Sequence, residues 1–168
     1  MRIGYVSFAI VTFMLAANLP AAAQETGHLH GLATLVFTEQ MMVKLDDQPN
    51  HVVLMIKEDG AVYNADGKPF LDKAHYQVVA LSDSAVGRHG YKTFTEADGT
   101  KVFGTFTVTE FKPPVINGTV EFTGGTGKYA GITGKGTFHL VSVGDKAATD
   151  ELNVDYTIPT QVAGTASK

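Results

Sequence analysis

The 168-residue chain contains no cysteine and no tryptophan. Without thiols it can form no disulfide bridge, no cysteine-ligated metal site and no thiolate nucleophile. Burial of apolar side chains and hydrogen bonding must therefore hold the fold together. The aromatic content consists of 10 phenylalanines and 6 tyrosines, which are available for a core or for a ligand site.

Clusters of positive charge are also absent from the sequence. The chain carries 13 lysines and arginines against 17 acidic side chains, for a formal net charge of −4. An acidic surface repels phosphate backbones and anionic lipid headgroups. We therefore expect no nucleic-acid partner and no stable membrane insertion of the mature protein.

Long apolar stretches are confined to the N-terminus. Residues 3–19 are mostly apolar, follow the basic Arg2, and lead to Pro20 and three alanines at 21–23. This three-part pattern is typical of a cleaved export signal. The sequence predicts a signal peptide at 1–23, a mature domain at 24–160 and a flexible C-terminal tail at 161–168. The protein is expected to be periplasmic or secreted.

Helical periodicity is scarce after residue 23, and alternation of apolar and polar residues is common. Turn-forming Gly, Asp and Asn punctuate the chain roughly every 8–15 residues, a spacing typical of all-β domains. Tight turns are predicted at Asp59-Gly60 and Asn117-Gly118, and Pro113-Pro114 is expected to end a strand. The pattern predicts a single antiparallel barrel of about eight strands, with a β-sandwich as the alternative.

Residues 122–138 are the richest part of the chain in glycine. The pattern predicts a corner between two strands, because glycine permits positive φ and close backbone approach. The spacing differs from that of a phosphate-binding loop, and no helical pattern follows. The glycines of this predicted corner are Gly124, Gly125, Gly127, Gly131, Gly134 and Gly136.

The glycine corner also carries a family resemblance. Residues 124–134 read G-G-T-G-K-Y-A-G-I-T-G, and residues 117–122 before them read N-G-T-V-E-F. Upstream, the similar features are K-E-D-G at 57–60, Asn64, P-F at 69–70 and D-G at 98–99. Over residues 51–143 the chain resembles the allene oxide cyclase and dirigent-like β-barrel superfamily, in particular small exported bacterial members.

This resemblance implies a fold more strongly than an activity. It implies a closed barrel and a homo-oligomer, since similar barrels often trimerise. The plant cyclases of the superfamily place a carboxylate and polar side chains inside an apolar barrel. No position of this sequence can be matched to those residues, so no catalytic role is transferred, and the bacterial relatives specify no function.

Few residues stand out as candidates for chemistry. His28 and His30 would share one face of a strand, but no third ligand is apparent, so neither a metal site nor a cofactor is predicted. Glu110 would share a face with Phe106 and Val108. If that face points into the barrel, burial would raise the Glu110 pKa and make it a candidate acid or base.

Aromatic and aliphatic side chains on alternating strand positions are the candidate lining of a ligand site. Such a barrel has room for filled side chains or one small ligand. We expect a non-enzymatic role, either binding a small hydrophobic molecule or acting as an oligomeric envelope or secreted protein. The alternative is an isomerase or cyclase that folds its substrate within the barrel. The candidate lining residues are Phe106, Val108, Phe122, Phe138 and Tyr156.

Overall fold

Eight β-strands follow one another along residues 24–160, which are the residues that the computed structural model describes. The strands are β1 (Gln24–Lys44), β2 (Val52–Asn64), β3 (Ala74–Asp83), β4 (Gly87–Thr95), β5 (Lys101–Lys112), β6 (Val115–Gly125), β7 (Thr133–Val143) and β8 (Ala147–Pro159). Each strand pairs antiparallel with the next, and β8 pairs with β1, which closes the barrel. The predicted eight-stranded barrel is confirmed. The predicted signal peptide and C-terminal tail lie outside the described residues.

The alternation in the sequence explains which residues fill the barrel. In a strand, successive side chains point to opposite faces, so every second residue faces the interior. Along β8, the side chains of Leu152, Val154 and Tyr156 are buried, and the buried Leu29 of β1 lies opposite Val154. Closure leaves the paired strands without a free edge over this core.

One end of the barrel is plugged by side chains from two connections. Phe70 and Leu71 come from the segment between β2 and β3, and Tyr129 comes from the connection between β6 and β7. The Phe70 ring stacks on Tyr156 with centroids 4.0 Å apart and meets Tyr129 edge-on at 5.3 Å. Ile132 adds a fully buried aliphatic side chain. These buried side chains therefore close this end of the barrel.

Two of the predicted tight turns are wrong, because their glycines lie inside strands. Gly60 is within β2 and Gly118 is within β6. A Cβ on Gly60 would lie 1.9 Å from the Thr34 carbonyl oxygen, and one on Gly118 would lie 2.2 Å from that of Thr107. These glycines therefore allow neighbouring strands to approach closely. The turn before β6 contains Pro113-Pro114, which ends β5 as predicted.

The glycine-rich segment connects β6 to β7 at the plugged end. β6 ends at Gly125, one turn of 3-10 helix spans Gly127–Tyr129, and β7 begins at Thr133. Gly127 and Gly131 have φ values of 54° and 77°, a region that glycine enters without strain. Gly134 and Gly136 belong to β7 itself. The segment thus carries Tyr129 and Ile132 into the plug.

Candidate functional site

The end of the barrel opposite the plug opens into a cavity of about 260 Å³. Most of its lining is aliphatic or aromatic, and five polar side chains interrupt it. The apolar lining comprises Phe37, Leu54, Ile56, Val78, Ala80, Leu81, Phe106, Val108, Phe111, Pro113, Ile116, Phe138 and Leu140. The polar lining comprises Glu58, Ser82, Arg88, Lys92 and Ser142. The cavity is an apolar chamber with a small number of charged groups, which is the usual make-up of a small-molecule site.

A buried ion pair lies at the inner end of the cavity. Lys92 of β4 donates a hydrogen bond from Nζ to Oδ2 of Asp150 on β8, at 2.7 Å, and both side chains are essentially inaccessible. The Tyr76 hydroxyl donates to the same oxygen at 2.8 Å and is itself hydrogen-bonded to Lys92. Burial raises the Tyr76 pKa well above its usual value, so this hydroxyl keeps its proton. Asp150 thereby balances the charge of Lys92.

Aromatic rings surround the same ammonium group. The Lys92 Nζ lies 4.7 Å from the ring centroid of Phe138 and 5.2 Å from that of Phe106. These two rings pack edge to face with centroids 5.5 Å apart. The negative faces of aromatic rings attract a cation, and the attraction is strongest where water is excluded. The two rings therefore stabilise the Lys92 ammonium group and also form part of the cavity wall.

Glu58 is the second carboxylate near the inner end of the cavity, and its pKa is shifted far from the usual value. Its side chain is buried, and its Oε2 has no hydrogen-bond partner among residues 24–160. Burial raises the Glu58 pKa to about 7; nearby Asp150 adds to the rise, and Lys92 opposes it. Near neutral pH the carboxyl therefore exists in both protonation states. A group of this kind can give a proton to a bound molecule or accept one.

Arg88 lies near the open end of the cavity. Its Nε donates a hydrogen bond to Ser82 Oγ at 2.7 Å, and its guanidinium stacks on the Phe111 ring. Its Nη1 is buried, and within the described part of the chain it has no hydrogen-bond partner. Burial lowers the Arg88 pKa, but a guanidinium stays charged in proteins. The mouth thus contains a positive charge with an unused donor.

The structure divides the predicted lining residues between the two ends of the barrel. Phe106, Val108 and Phe138 line the cavity. Phe122 packs edge-on against Phe70 at 6.3 Å, and Tyr156 stacks on Phe70, so both belong to the plug.

Glu110 does not lie where the strand alternation predicts. A bulge between Val108 and Glu110 shifts the register, so Glu110 pairs with Asn117 and is not among the cavity-lining residues. Its carboxylate accepts hydrogen bonds from Lys112 at 2.5 Å and from Asn117 at 2.8 Å. The Lys112 contact lowers the Glu110 pKa, whereas an inward, buried position would have raised it. Glu110 therefore lacks the inward position on which its candidacy as an acid or base depended.

The two N-terminal histidines are engaged in separate contacts. His28 Nδ1 lies 2.8 Å from Asp155, and His30 Nε2 lies 3.0 Å from Glu151. Between residues 24 and 160, no group of three or more His, Asp or Glu side chains is arranged to hold a metal ion. No helix in that range is long and apolar enough to span a membrane.

Lys92, Glu58 and Asp150 are absent from the site residues predicted above, although the alternation contains a signal for Lys92 and for Asp150. Lys92 is two residues before the buried Phe94, and Asp150 is two residues before the buried Leu152. A charged residue in register with a buried apolar face is unusual, since charges are seldom buried unless paired. Their pairing across the barrel depends on closure, which local sequence does not specify.

Comparison with known proteins gives a match at the level of fold. No family model matches the chain, and no curated protein matches it by sequence. Among solved structures, the pterocarpan synthase dirigent protein GePTS1 is similar, with a TM-score of 0.55 and 15% identity over 88% of this chain and 92% of that one. The pterocarpan synthase dirigent protein PsPTS1 gives a TM-score of 0.51 and 16% identity over 82% and 97%. The chain thus has the fold of a dirigent-like barrel.

Proposed function

We propose that the protein binds a small, mainly apolar molecule in the open half of its barrel. The observation that carries this proposal is the contrast between the two ends. Buried aromatic and aliphatic side chains close one end, whereas the other contains a cavity of about 260 Å³ with buried charged groups at its inner end. Buried charges are costly unless they are paired, and polar groups converging on an apolar cavity are typical of a ligand site.

The volume of the cavity limits the size of the molecule. An apolar cavity of about 150 Å³ accepts benzene, so about 260 Å³ suits roughly ten non-hydrogen atoms. Phe106 and Phe138 offer ring faces and edges to such a molecule. We therefore propose a monocyclic aromatic compound or a short terpenoid as the class of ligand. Longer molecules would protrude through the open end.

The fold neighbours agree with this role. They are dirigent proteins named as pterocarpan synthases, so the same barrel serves small-molecule chemistry in them. We further propose that the chain is a bacterial exported member of the wider superfamily that includes allene oxide cyclases. The motif at 124–134 supports that placement.

A pair of matched substitutions tests the binding role. Ala80 of β3 lines the cavity, and its neighbour Val79 lies on the opposite face of the strand. Ala80→Phe should fill the cavity, whereas Val79→Phe adds a ring of the same size outside it. Aromatic and monoterpene compounds of about ten heavy atoms should raise the melting temperature of the wild-type protein and of Val79→Phe, and calorimetry should give no binding to Ala80→Phe. Failure of every compound to bind the wild type, or equal binding to Ala80→Phe, would contradict the proposal.

A second function is favoured by Glu58. A carboxyl group with a pKa of about 7 beside an apolar cavity can transfer a proton at neutral pH, as an isomerase or cyclase requires. We propose this as the alternative function. It predicts that a bound substrate is converted, and that Glu58→Gln slows conversion by about 100-fold or more while changing affinity little. Product analysis by chromatography checks this, and unchanged turnover in Glu58→Gln would contradict it.

We also propose that the protein acts outside the cytoplasm as a homo-oligomer. The signal-like pattern of residues 1–23 supports export. Met41, Met42 and Val43 support self-association, because they are exposed on the part of β1 that extends beyond its pairing with β8. Light scattering of the exported protein should give a multiple of the protomer mass, and a monomer at every concentration would argue against this.

A further inference from the structure

Arg88 is held in a fixed position that leaves part of its hydrogen-bonding capacity unused. The Ser82 hydroxyl accepts from Nε, and the Phe111 ring covers one face of the guanidinium. Ser82 lies directly opposite Arg88 in the β3–β4 ladder, so both groups belong to the rim of the cavity. Nη1 is buried there without a partner among the described residues. A buried donor left unpaired is costly, and a ligand acceptor would remove that cost.

Within the described part of the chain, Arg88 differs from Lys92 in having no carboxylate in direct contact with its charge. Glu58, Arg88 and Lys92 are the charged side chains of the lining. Asp150 compensates Lys92 through a direct ion pair, and Glu58 lies close enough to this pair to interact with both of its charges. No carboxylate of residues 24–160 forms an ion pair with Arg88, and burial alone accounts for the change in its pKa. The Arg88 guanidinium at the mouth therefore has no directly paired anion among residues 24–160.

Resting on the proposed binding role, we infer that the ligand carries a carboxylate, which Arg88 binds at the mouth while the apolar body enters the cavity. A guanidinium matches a carboxylate in shape and charge and can bind it through two parallel hydrogen bonds. The ring or chain of the ligand then contacts Phe106 and Phe138 deeper in the barrel. Lys92 does not compete for the carboxylate, since Asp150 and Tyr76 already engage its ammonium group.

Matched compounds that differ only in their head group test this inference. 4-Phenylbutyrate and 4-phenylbutanamide have the same apolar body, and only the first is an anion at neutral pH. Calorimetry near pH 7.5 should show the wild-type protein binding the carboxylate about 10- to 100-fold more tightly than the amide, the range expected for a charge-assisted hydrogen bond. The preference should fall as salt is added, because ions screen the Arg88 charge at the open mouth.

Two variants locate the source of the preference. Arg88→Gln retains a side chain that can reach Ser82 but removes the charge, and it should bind the carboxylate and the amide equally. Lys101→Gln removes one positive charge from an exposed position at the plugged end and should retain the wild-type preference. Arg88→Lys restores a charge without the forked geometry and should recover part of the preference. If Arg88→Gln does not fold, the inference is still tested by the preference of the wild-type protein for the carboxylate over the amide and by the weaker preference expected of Arg88→Lys.

The outcomes separate this inference from the proposed function on which it rests. Equal affinity of the wild-type protein for both compounds would overturn the inference and leave the binding role intact. A preference for the carboxylate that survives in Arg88→Gln would also overturn it. Failure of both compounds and of the neutral aromatic and monoterpene panel to bind would overturn the binding role as well.

Discussion

Replacement of Glu58 by glutamine should change how the stability of the protein depends on pH. The substitution preserves the size of the side chain and removes its ionisation. In the folded protein, burial raises the Glu58 pKa from 4.5 to about 7. Between these two values the unfolded chain has released the proton and the folded chain still holds it. The free energy of unfolding therefore falls as pH rises through this range.

The size of the effect follows from the two pKa values. At about 1.4 kcal/mol for each pH unit, the difference between 4.5 and about 7 corresponds to about 3 kcal/mol. The full contribution is present below about pH 4.5 and is lost once the pH exceeds the folded value of about 7. The Glu58→Gln variant cannot ionise at this position, so it has no corresponding loss of stability as the pH rises. Relative to the wild type, the variant should gain about 3 kcal/mol from pH 4.5 to pH 8.

Urea denaturation of both proteins across this pH range measures the effect, and the difference between them cancels the titration of all other groups. Glu110→Gln is the matched control, because contacts with Lys112 and Asn117 lower the Glu110 pKa and keep it ionised over the same range. Its difference from the wild type should be flat. A difference for Glu58→Gln that stays constant within about 0.5 kcal/mol would mean that the inner end of the cavity does not desolvate this carboxyl.

Three further substitutions test other parts of the structure. Asp150→Asn leaves Lys92 as an unpaired buried charge and should lower the free energy of unfolding by about 3–5 kcal/mol. Adding Lys92→Met should recover part of this loss. Additive losses in the double variant would contradict the pairing. Gly136→Ala places a Cβ 1.9 Å from the Asn153 carbonyl oxygen and should lower the free energy of unfolding by about 1–3 kcal/mol or more. The control Thr137→Ala, at an exposed position, should lower it by less than about 1 kcal/mol. Equal losses in the two variants would be inconsistent with close strand approach at Gly136. Phe70→Ala removes the centre of the plug and should lower the free energy of unfolding by about 3–5 kcal/mol. The same variant should change ligand affinity less than about threefold. A much larger loss of affinity would indicate that the ligand binds at the plugged end.

The strands and the barrel follow from local patterns, and the exceptions have a common cause. Alternation along β8 separates Leu152 and Val154 from their polar neighbours without any knowledge of the rest of the chain. Gly60 and Gly118 resemble turn residues locally, but each is a point where a neighbouring strand comes too close for a side chain. That approach depends on strand register across the barrel, which a local pattern does not contain.

The site was predictable only in its apolar part. Phe106, Val108 and Phe138 follow from alternation and line the cavity. Lys92 and Asp150 are 58 residues apart and meet only because the closed sheet brings β4 and β8 to face each other across the interior. Glu110 does not share the inward face of Phe106 and Val108, because a bulge changes the alternation by one residue.

Nuclear Overhauser contacts between bound 4-phenylbutyrate and the protein test most directly whether the ligand occupies the cavity. The phenyl protons should contact the rings of Phe106 and Phe138 and the side chain of Ile116, all of which line the open half of the barrel. They should show no contact with Phe70, at the centre of the plug. Contacts confined to the outer face of the barrel, or to the plugged end, would contradict the binding role assigned to this cavity.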